Sequence, residues 1–203
     1  MPKTLIFGGT FNPPHISHRL MLEAVSELDN VEKVLVMPTN IPPHKSVSDL
    51  TASPEDRLFM CRLLSRGISK AEVSDVELKR GGKSYSFDTL TALKPQYDEL
   101  YMLIGGDMIT TFTGWYRYLD ILKLCGILAV RRKGIDDLEF DKAVESLRRD
   151  GGNIEVIEVE LPEVSSTELR NALLNGEKIE LIPGNILEFI AEKGLYRRDR
   201  NDD

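Results

Sequence analysis

The chain has 203 residues, of which 41% are hydrophobic and 29% are charged, and its formal net charge at pH 7 is −7. These values are ordinary for a soluble globular protein of about one domain. The net negative charge argues against a protein that binds nucleic acid through bulk positive charge, so an anionic substrate would need a local cationic pocket.

Neither a signal peptide nor an apolar run of transmembrane length is recognised in the sequence, and we expect a soluble, cytoplasmic protein without membrane contact. The two cysteines, Cys61 and Cys125, lie in apolar contexts and match no metal-binding spacing. They are predicted to be reduced thiols in the core rather than a disulfide or a pair of metal ligands.

The first predicted strand, Leu5–Phe7, leads into a candidate phosphate site. The strand is predicted to break at Gly8 and Gly9, where the backbone can approach a ligand without side chains in the way. A helical apolar period follows, and His15 and His18 lie one turn apart at its start, so both imidazoles can point the same way. A strand, a glycine turn and a helix N-terminus with two donors beside it are typical of phosphate binding. Zinc is a weak alternative, because no third ligand is near.

Five further strands are predicted to alternate with helices along the chain. They span Lys33–Met37, Ala71–Leu78, Leu100–Ile104, Gly126–Val130 and Ile154–Val159. This alternation predicts an α/β fold, a Rossmann-like doubly wound parallel sheet with helices on both faces. We expect one domain over residues 1–203, with a nucleotide-binding core at about 1–160 and a small helical part at about 161–203.

Four loops follow predicted strands, at Gly8–His18, Thr39–Lys45, Gly105–Asp107 and Val164–Arg170. In parallel α/β sheets, ligands bind beyond the carboxyl ends of the strands. These loops are therefore predicted to gather into a single composite site at one edge of the sheet.

The last of these loops carries Ser165-Ser166-Thr167, with Arg170 one turn into the following helix. Ser165 and Glu168 have the spacing of a capping box, which explains one hydroxyl. Capping alone does not require three hydroxyls and an arginine on the same turn, so the pattern indicates phosphate binding.

These two motifs together resemble the nucleotidyltransferase superfamily with the class I synthetase-like fold. Within it, the chain is similar to the bacterial nicotinate-nucleotide adenylyltransferases, over almost its whole length. The segments that carry the resemblance are Gly8-Gly9-Thr10-Phe11-Asn12-Pro13-x-His15-x-x-His18, Pro38-Thr39-Asn40-x-Pro42-Pro43-His44-Lys45, Arg57, Ser84-Tyr85-Ser86-x-Asp88-Thr89-Leu90, Ile104-Gly105-Gly106-Asp107, Trp115 and Ser165-Ser166-Thr167-x-x-Arg170. Asn12 stands where aspartate is frequent in the family, and Ser17 stands where glycine is usual.

The resemblance implies transfer of the adenylyl group of ATP to nicotinate mononucleotide, which gives nicotinate adenine dinucleotide and pyrophosphate in a step of NAD biosynthesis. Three groups of residues receive implied roles. They are His15, His18 and Arg170 in catalysis; Gly8, Gly9, Thr10, Phe11, Gly105, Asp107, Ser166 and Thr167 in ATP binding; and His44, Lys45, Tyr85, Ser86 and Trp115 in mononucleotide binding. Both histidines, Arg170 and a Mg²⁺ ion held mainly by the ATP phosphates would supply positive charge, and no protein metal site is expected.

Alternatives stay open at this point. The chain could transfer the adenylyl group to another phosphate such as phosphopantetheine, transfer a cytidylyl group to an alcohol phosphate, or sense nucleotides without catalysis. The absence of a Walker loop and of the Gly-x-Gly-x-x-Gly fingerprint argues against a P-loop enzyme and a hydride-transferring enzyme. Trp115 could be a core aromatic, Asp107 a helix cap and Arg57 part of a surface ion pair. Both a monomer and a homo-oligomer are compatible with the sequence.

Overall fold

The computed structural model describes residues 2–43, 52–133 and 137–197. Its strands are Lys3–Gly9 (β1), Val31–Pro38 (β2), Ala71–Val73 (β3), Leu100–Gly105 (β4), Gly126–Arg132 (β5) and Ile154–Val159 (β6). All of them pair in parallel within one sheet, in the order β3-β2-β1-β4-β5-β6. This is the order of a doubly wound sheet, and the chain reverses direction across the sheet between β1 and β4. The predicted fold class is confirmed.

Helices cover both faces of the sheet and form the C-terminal part of the chain. They are Ile16–Ser26 (α1), Pro54–Ser65 (α2), Val76–Arg80 (α3), Ser86–Leu93 (α4), Gly106–Ile109 (α5), Tyr118–Leu124 (α6), Leu138–Arg149 (α7), Ser166–Leu174 (α8) and Gly184–Lys193 (α9). Two short 3₁₀ turns, Lys94–Gln96 and Phe112–Gly114, precede β4 and α6. Among the described residues, no helix is both long and apolar enough to cross a membrane.

Two apolar clusters fill the two faces of the sheet because consecutive strand residues point in opposite directions. Leu5 of β1 packs in one cluster and the next residue, Ile6, packs in the other. Cys61 and Cys125 lie in different clusters, and both are buried free thiols, as predicted.

A third apolar cluster joins the C-terminal helices to α2. Its buried members are Ala52, Met60, Leu63, Leu64, Leu169, Ile182, Ile186, Ile190 and Tyr196. The segment after β6 therefore packs against Ala52 and the second half of α2.

The predicted strand at Ala71–Leu78 is wrong beyond its first three residues. Only Ala71–Val73 pairs with β2, and after Ser74 donates its N–H to Val36 O at 2.9 Å the chain turns into α3. Glu77, which alternation would place on a strand face, is buried and accepts a hydrogen bond from the Thr89 hydroxyl at 2.6 Å. This contact with α4 fixes a helical turn where the local pattern suggested continued strand.

Candidate active site

The loop after β1 presents backbone rather than side chains at the end of the strand. β1 continues through Gly8 and Gly9, which pair with Met37 and Pro38, so the predicted break at these glycines is wrong. The chain turns instead at Phe11, whose φ is 50°. A Cβ on Gly9 would lie 3.1 Å from the buried Phe11 ring, whereas a Cβ on Gly8 would meet no atom within 4 Å. Gly8 is therefore open to a ligand, and Gly9 makes room for Phe11.

The loop's two other candidate ATP contacts are placed differently from each other. Thr10 is half-buried next to the strand end, whereas the Phe11 side chain is only 2% exposed. A ligand at this loop would meet the backbone of Phe11 rather than its ring.

His15 and His18 lie side by side at the start of α1, as their spacing predicted. Their ring centroids are 3.7 Å apart, and the N–H of His15 donates to Nδ1 of His18 at 3.2 Å. Because Nδ1 of His18 accepts this hydrogen bond, the neutral ring carries its proton on Nε2. Nδ1 of His15 is buried and has no hydrogen-bond partner among the described residues.

Both imidazoles are neutral near pH 7. Burial lowers the pKa of His15 from 6.5 to about 4. Burial, followed by the proximity of His15, holds the pKa of His18 well below its usual range. For the protein as it stands, what the pair offers a phosphate is neutral N–H groups, and the expectation that it supplies positive charge to bound ATP stays a prediction.

The start of α8 contains the predicted capping box. The Ser165 hydroxyl accepts from the N–H of Glu168 at 3.2 Å, and the Glu168 carboxylate accepts from the N–H of Ser165 at 2.9 Å. Capping uses Ser165 alone, so Ser166, Thr167 and Arg170 are left for other contacts.

Two of these side chains join the C-terminal motif to the N-terminal motif through hydrogen bonds. The Ser166 hydroxyl donates to Pro13 O at 2.9 Å, and Nη1 of Arg170 donates to Asn12 O at 2.7 Å. Nη2 of Arg170 also donates to the exposed Thr167 hydroxyl at 3.3 Å. Among the described residues, the remaining N–H groups of the guanidinium have no partner, so Arg170 keeps donors for a ligand.

The two departures from the family pattern are both buried and hydrogen-bonded. The Ser17 hydroxyl donates to Pro162 O at 3.0 Å and so ties α1 to the segment before α8. The Asn12 side chain accepts from the Ala52 N–H at 3.1 Å and from the Tyr196 hydroxyl at 2.7 Å.

Arg57 is a residue of this site that the sequence interpretation missed. It is 2% exposed, and its guanidinium donates to four carbonyl oxygens: those of Thr10 at 2.9 Å, Thr39 at 2.6 Å, Asn40 at 3.1 Å and Ala52 at 3.3 Å. Within the described residues it has no carboxylate partner, so the surface ion-pair interpretation is wrong. Burial lowers the pKa of Arg57 from its usual value.

A helical period could have revealed that Arg57 faces inward. It is spaced three, four and seven residues from Met60, Cys61 and Leu64, which are all buried on α2. An arginine on an apolar stripe indicates either a buried network or an error in the helix assignment, and here it joins the loops after β1 and β2.

The described part of the loop after β2 is attached to the start of α4. The N–H of Asn40 donates to the Ser84 hydroxyl at 2.8 Å, and the N–H of Ser84 donates to Ile41 O at 2.9 Å. The predicted mononucleotide contacts His44 and Lys45 lie outside the described residues.

The other three predicted mononucleotide contacts flank the packing of α4 against α6. Tyr85 and Ser86 open α4, and Trp115 lies just before α6; all three are half-buried. The Tyr85 ring packs against Tyr116 with centroids 4.7 Å apart, and Trp115 packs on Phe112 at 4.9 Å. The aromatic surface here thus includes Tyr116, which sequence reasoning did not select.

Gly105 and Asp107 occupy the end of β4, next to β1 in the sheet. A Cβ on Gly105 would lie 3.8 Å from the Met21 methyl group of α1. Asp107 is exposed in α5, and among the described residues its carboxylate makes no hydrogen bond or ion pair. These positions agree with the predicted convergence of post-strand loops at one edge of the sheet.

Comparisons with known proteins were made on sequence and on structure. A profile of the cytidylyltransferase-like family matches residues 6–172. A probable nicotinate-nucleotide adenylyltransferase from Geobacillus thermodenitrificans is 37% identical over 97% of this chain and 87% of its own length. One from Listeria welshimeri is also 37% identical, over 96% of this chain and 97% of its own length. The structure of the Plasmodium falciparum nicotinic acid mononucleotide adenylyltransferase complexed with NaAD superposes with a TM-score of 0.80 at 19% identity, covering 97% of this chain and 98% of that one.

Proposed function

The chain belongs to the cytidylyltransferase-like family, in the group of the nicotinate-nucleotide adenylyltransferases, and from this membership we propose that it joins ATP and nicotinate mononucleotide. The products are nicotinate adenine dinucleotide and pyrophosphate, and the reaction is a step of NAD biosynthesis. One structural observation supports this proposal above the others. The hydrogen bonds from Ser166 to Pro13 O and from Arg170 to Asn12 O, at 2.9 and 2.7 Å, unite two phosphate-binding motifs from opposite ends of the chain.

The ATP half of the site is assigned to the loops around β1, β4 and α8. The open backbone at Gly8 gives the triphosphate a close approach, with the backbone of Gly9 and Phe11 and the Thr10 side chain beside it. Further contacts to ATP are assigned to Gly105, Asp107, Ser166 and Thr167. Asp107 is exposed and without a protein partner among the described residues, which suits a carboxylate that accepts ribose hydroxyls.

Catalysis then consists of positioning and of neutralising charge. The mononucleotide phosphate attacks the α-phosphorus of ATP in line, and pyrophosphate leaves. Because the attacking oxygen is already an anion, no general base is needed. His15 and His18 donate neutral N–H groups to the phosphates, and Arg170 supplies the fixed positive charge. Phosphates placed beside the two imidazoles would raise their pKa values.

Nucleotidyltransferases generally use a divalent metal ion. Among the described residues, no three His, Cys, Asp or Glu side chains gather into a group that could hold one. A Mg²⁺ ion that takes its ligands mainly from ATP phosphates and water needs no such group of side chains. When bound, such an ion neutralises charge on the phosphates.

The acceptor half is assigned to Tyr85, Ser86 and Trp115, together with His44 and Lys45. The backbone N–H groups at the start of α4 and the Ser86 hydroxyl suit the nicotinate carboxylate, because a helix N-terminus favours negative charge. The half-buried indole of Trp115 suits an electron-poor pyridinium ring. We assign both halves to one functional unit over the whole chain, acting in the cytoplasm, where the buried thiols of Cys61 and Cys125 stay reduced.

Pyrophosphate release tests the proposed reaction. The protein is incubated with ATP, Mg²⁺ and one acceptor at a time: nicotinate mononucleotide, nicotinamide mononucleotide, phosphopantetheine or an alcohol phosphate. Release that depends on nicotinate mononucleotide supports the assignment. Release with another acceptor alone identifies a different transferase, and release with none of them refutes the function as stated.

His18→Ala tests the catalytic assignment. We expect the variant to fold, but its turnover to fall by about a hundredfold or more, because a donor to the developing charge is lost. His18→Asn is a sharper variant, since its side-chain oxygen can accept from the His15 N–H while it lacks Nε2. Circular dichroism checks the fold, and the exposed Gln96→Ala, at the opposite edge of the sheet, serves as a control. Near wild-type rates in both histidine variants would contradict the catalytic assignment of His18.

A further inference from the structure

Tyr196 brings the end of the described chain back to the loop after β1. α9 ends at Lys193, and Gly194 and Tyr196 both have positive φ values, 66° and 57°, which reverse the chain. The Tyr196 side chain is 4% exposed within the third apolar cluster, between α2 and α9. It is therefore shielded from any substrate.

Among the residues that the structure describes, the Tyr196 hydroxyl makes one hydrogen bond. It donates to the side-chain oxygen of Asn12 at 2.7 Å, across 184 residues of sequence. Burial raises the pKa of the Tyr196 hydroxyl, so the group is a proton donor at every physiological pH. The N–H of Ala52 donates to the same Asn12 oxygen at 3.1 Å. Two donors fill the two lone pairs of this oxygen and fix the Asn12 side chain.

The main-chain carbonyl group of Asn12 in turn holds the Arg170 side chain. The carbonyl oxygen of Asn12 accepts from Nη1 of Arg170 at 2.7 Å, and Asn12 is itself buried. The hydroxyl of Tyr196 and the guanidinium of Arg170 thus meet on the same residue, one on its side chain and the other on its carbonyl group. Any shift of Asn12 moves the anchor of Arg170.

We propose that Tyr196 is a positioning residue for adenylyl transfer, which acts through Asn12 to hold Arg170 in line with the ATP phosphates. The inference rests on the proposed function, because that function assigns Arg170 to ATP. It gives Tyr196 a role in catalysis, although the buried Tyr196 side chain is shielded from substrate. The two hydrogen bonds require an acceptor oxygen on the side chain at position 12, and Asn12 supplies it.

Tyr196→Phe removes one hydroxyl and leaves the buried ring. We expect kcat/KM for ATP to fall about tenfold, mostly through kcat, while KM for nicotinate mononucleotide changes less than about twofold. The chain offers a matched control in Tyr101, which is also 4% exposed. Its hydroxyl accepts a hydrogen bond from Asn153 at 2.7 Å, near the amino end of β4 and away from the candidate site. Tyr101→Phe should lower the unfolding temperature to a similar degree and leave kcat/KM unchanged.

A double variant tests the route through Arg170. Arg170→Lys keeps a positive charge and so keeps a measurable rate, but it lacks the planar fork that spans Asn12 and the ligand. Adding Tyr196→Phe to Arg170→Lys should change kcat/KM for ATP by less than about twofold, because the anchored group is already gone. A full second tenfold loss in the double variant overturns the proposed route.

The remaining outcomes separate this inference from the proposed function. Wild-type protein that releases pyrophosphate, together with a Tyr196→Phe variant of equal kcat/KM, overturns the inference alone. Losses of equal size in Tyr196→Phe and Tyr101→Phe also overturn it, because they reflect stability. Wild-type protein that releases no pyrophosphate overturns the proposed function. In that case the inference falls with the function, because it concerns the turnover of ATP.

Discussion

A Cβ placed on Gly9 would lie 3.1 Å from the Phe11 ring, whereas the same atom on Gly8 would meet nothing within 4 Å. Neither glycine has a positive φ; the left-handed residue of the loop is Phe11. Glycine at position 9 is thus required by packing inside the protein. Nothing inside the protein requires glycine at position 8, which points to a ligand that passes close to the backbone.

Alanine at each position separates these two requirements. Gly8→Ala should keep wild-type stability and raise KM for ATP about tenfold, because a methyl group would occupy space used by the phosphates. Gly9→Ala should lower the free energy of unfolding by about 1–3 kcal/mol, since the Phe11 ring must shift. Urea denaturation and ATP kinetics on both variants distinguish the effects. Equal KM values for Gly8→Ala and wild type would show that ATP does not pass close to Gly8.

At the residue scale, the sequence predicted which side chains lie close together better than it predicted their protonation states. The spacing of His15 and His18 predicted adjacent rings, which the structure confirms. It could not predict that burial keeps both neutral, because desolvation depends on residues packed around them. The same holds for Gly9, whose neighbour Phe11 is close in sequence but folds back in a way that no local pattern records.

At the scale of elements, α2 connects the loops after β1 and β2, to which we assign ATP and acceptor contacts. Its N-terminus is capped by Ser53, which accepts from the N–H of Asp56 at 3.0 Å, with Pro54 in the first turn. Arg57 follows one turn later and donates to carbonyls of the loops after β1 and β2. A planar fork with five N–H groups can reach several carbonyls, which an ammonium group cannot do.

Arg57→Lys should therefore disturb both substrate loops at once. We expect the free energy of unfolding to fall by about 2 kcal/mol or more, since buried carbonyls lose their donors. KM should rise for both ATP and the mononucleotide. Arg62→Lys, on the exposed face of the same helix, is the control and should leave both quantities unchanged. A change in only one KM would show that Arg57 does not couple the loops.

Elements with a strong apolar period were predicted well, and elements fixed by distant contacts were not. The central strands β1, β4 and β5 were placed within two residues at each end, because burial on both faces leaves a continuous apolar run. β3 is an edge strand of three residues, and its short apolar pattern continues into α3, where Glu77 is held by Thr89. Only a contact across 12 residues decides that boundary.

At the scale of the whole molecule, a parallel sheet alone predicted that loops after the strands converge. It could not predict which residues meet there. The bonds from Arg170 to Asn12 and from Tyr196 to Asn12 span 158 and 184 residues, and no periodicity or spacing encodes such pairs. Packing of the C-terminal helices on α2 closes the site, so its geometry depends on the complete fold.

The buried histidine pair also links the stability of the whole molecule to pH. The pKa of His15 is about 4 in the folded protein and 6.5 when exposed, and that of His18 is lowered in the same direction. Unfolding therefore takes up protons below pH 6.5. The contribution of His15 is complete above pH 6.5 and is lost as the pH falls towards 4, and that of His18 is lost in the same direction. For His15 alone, the loss is about 3 kcal/mol over the whole window.

We expect urea denaturation to give a free energy of unfolding at least about 2 kcal/mol lower at pH 5 than at pH 7.5. Between pH 6.5 and 5.5 carboxylates titrate little. In this range the free energy of unfolding of a His15→Asn, His18→Asn double variant should not change with pH. If that variant keeps the wild-type slope, the pH dependence arises elsewhere and the two rings are not held neutral by burial.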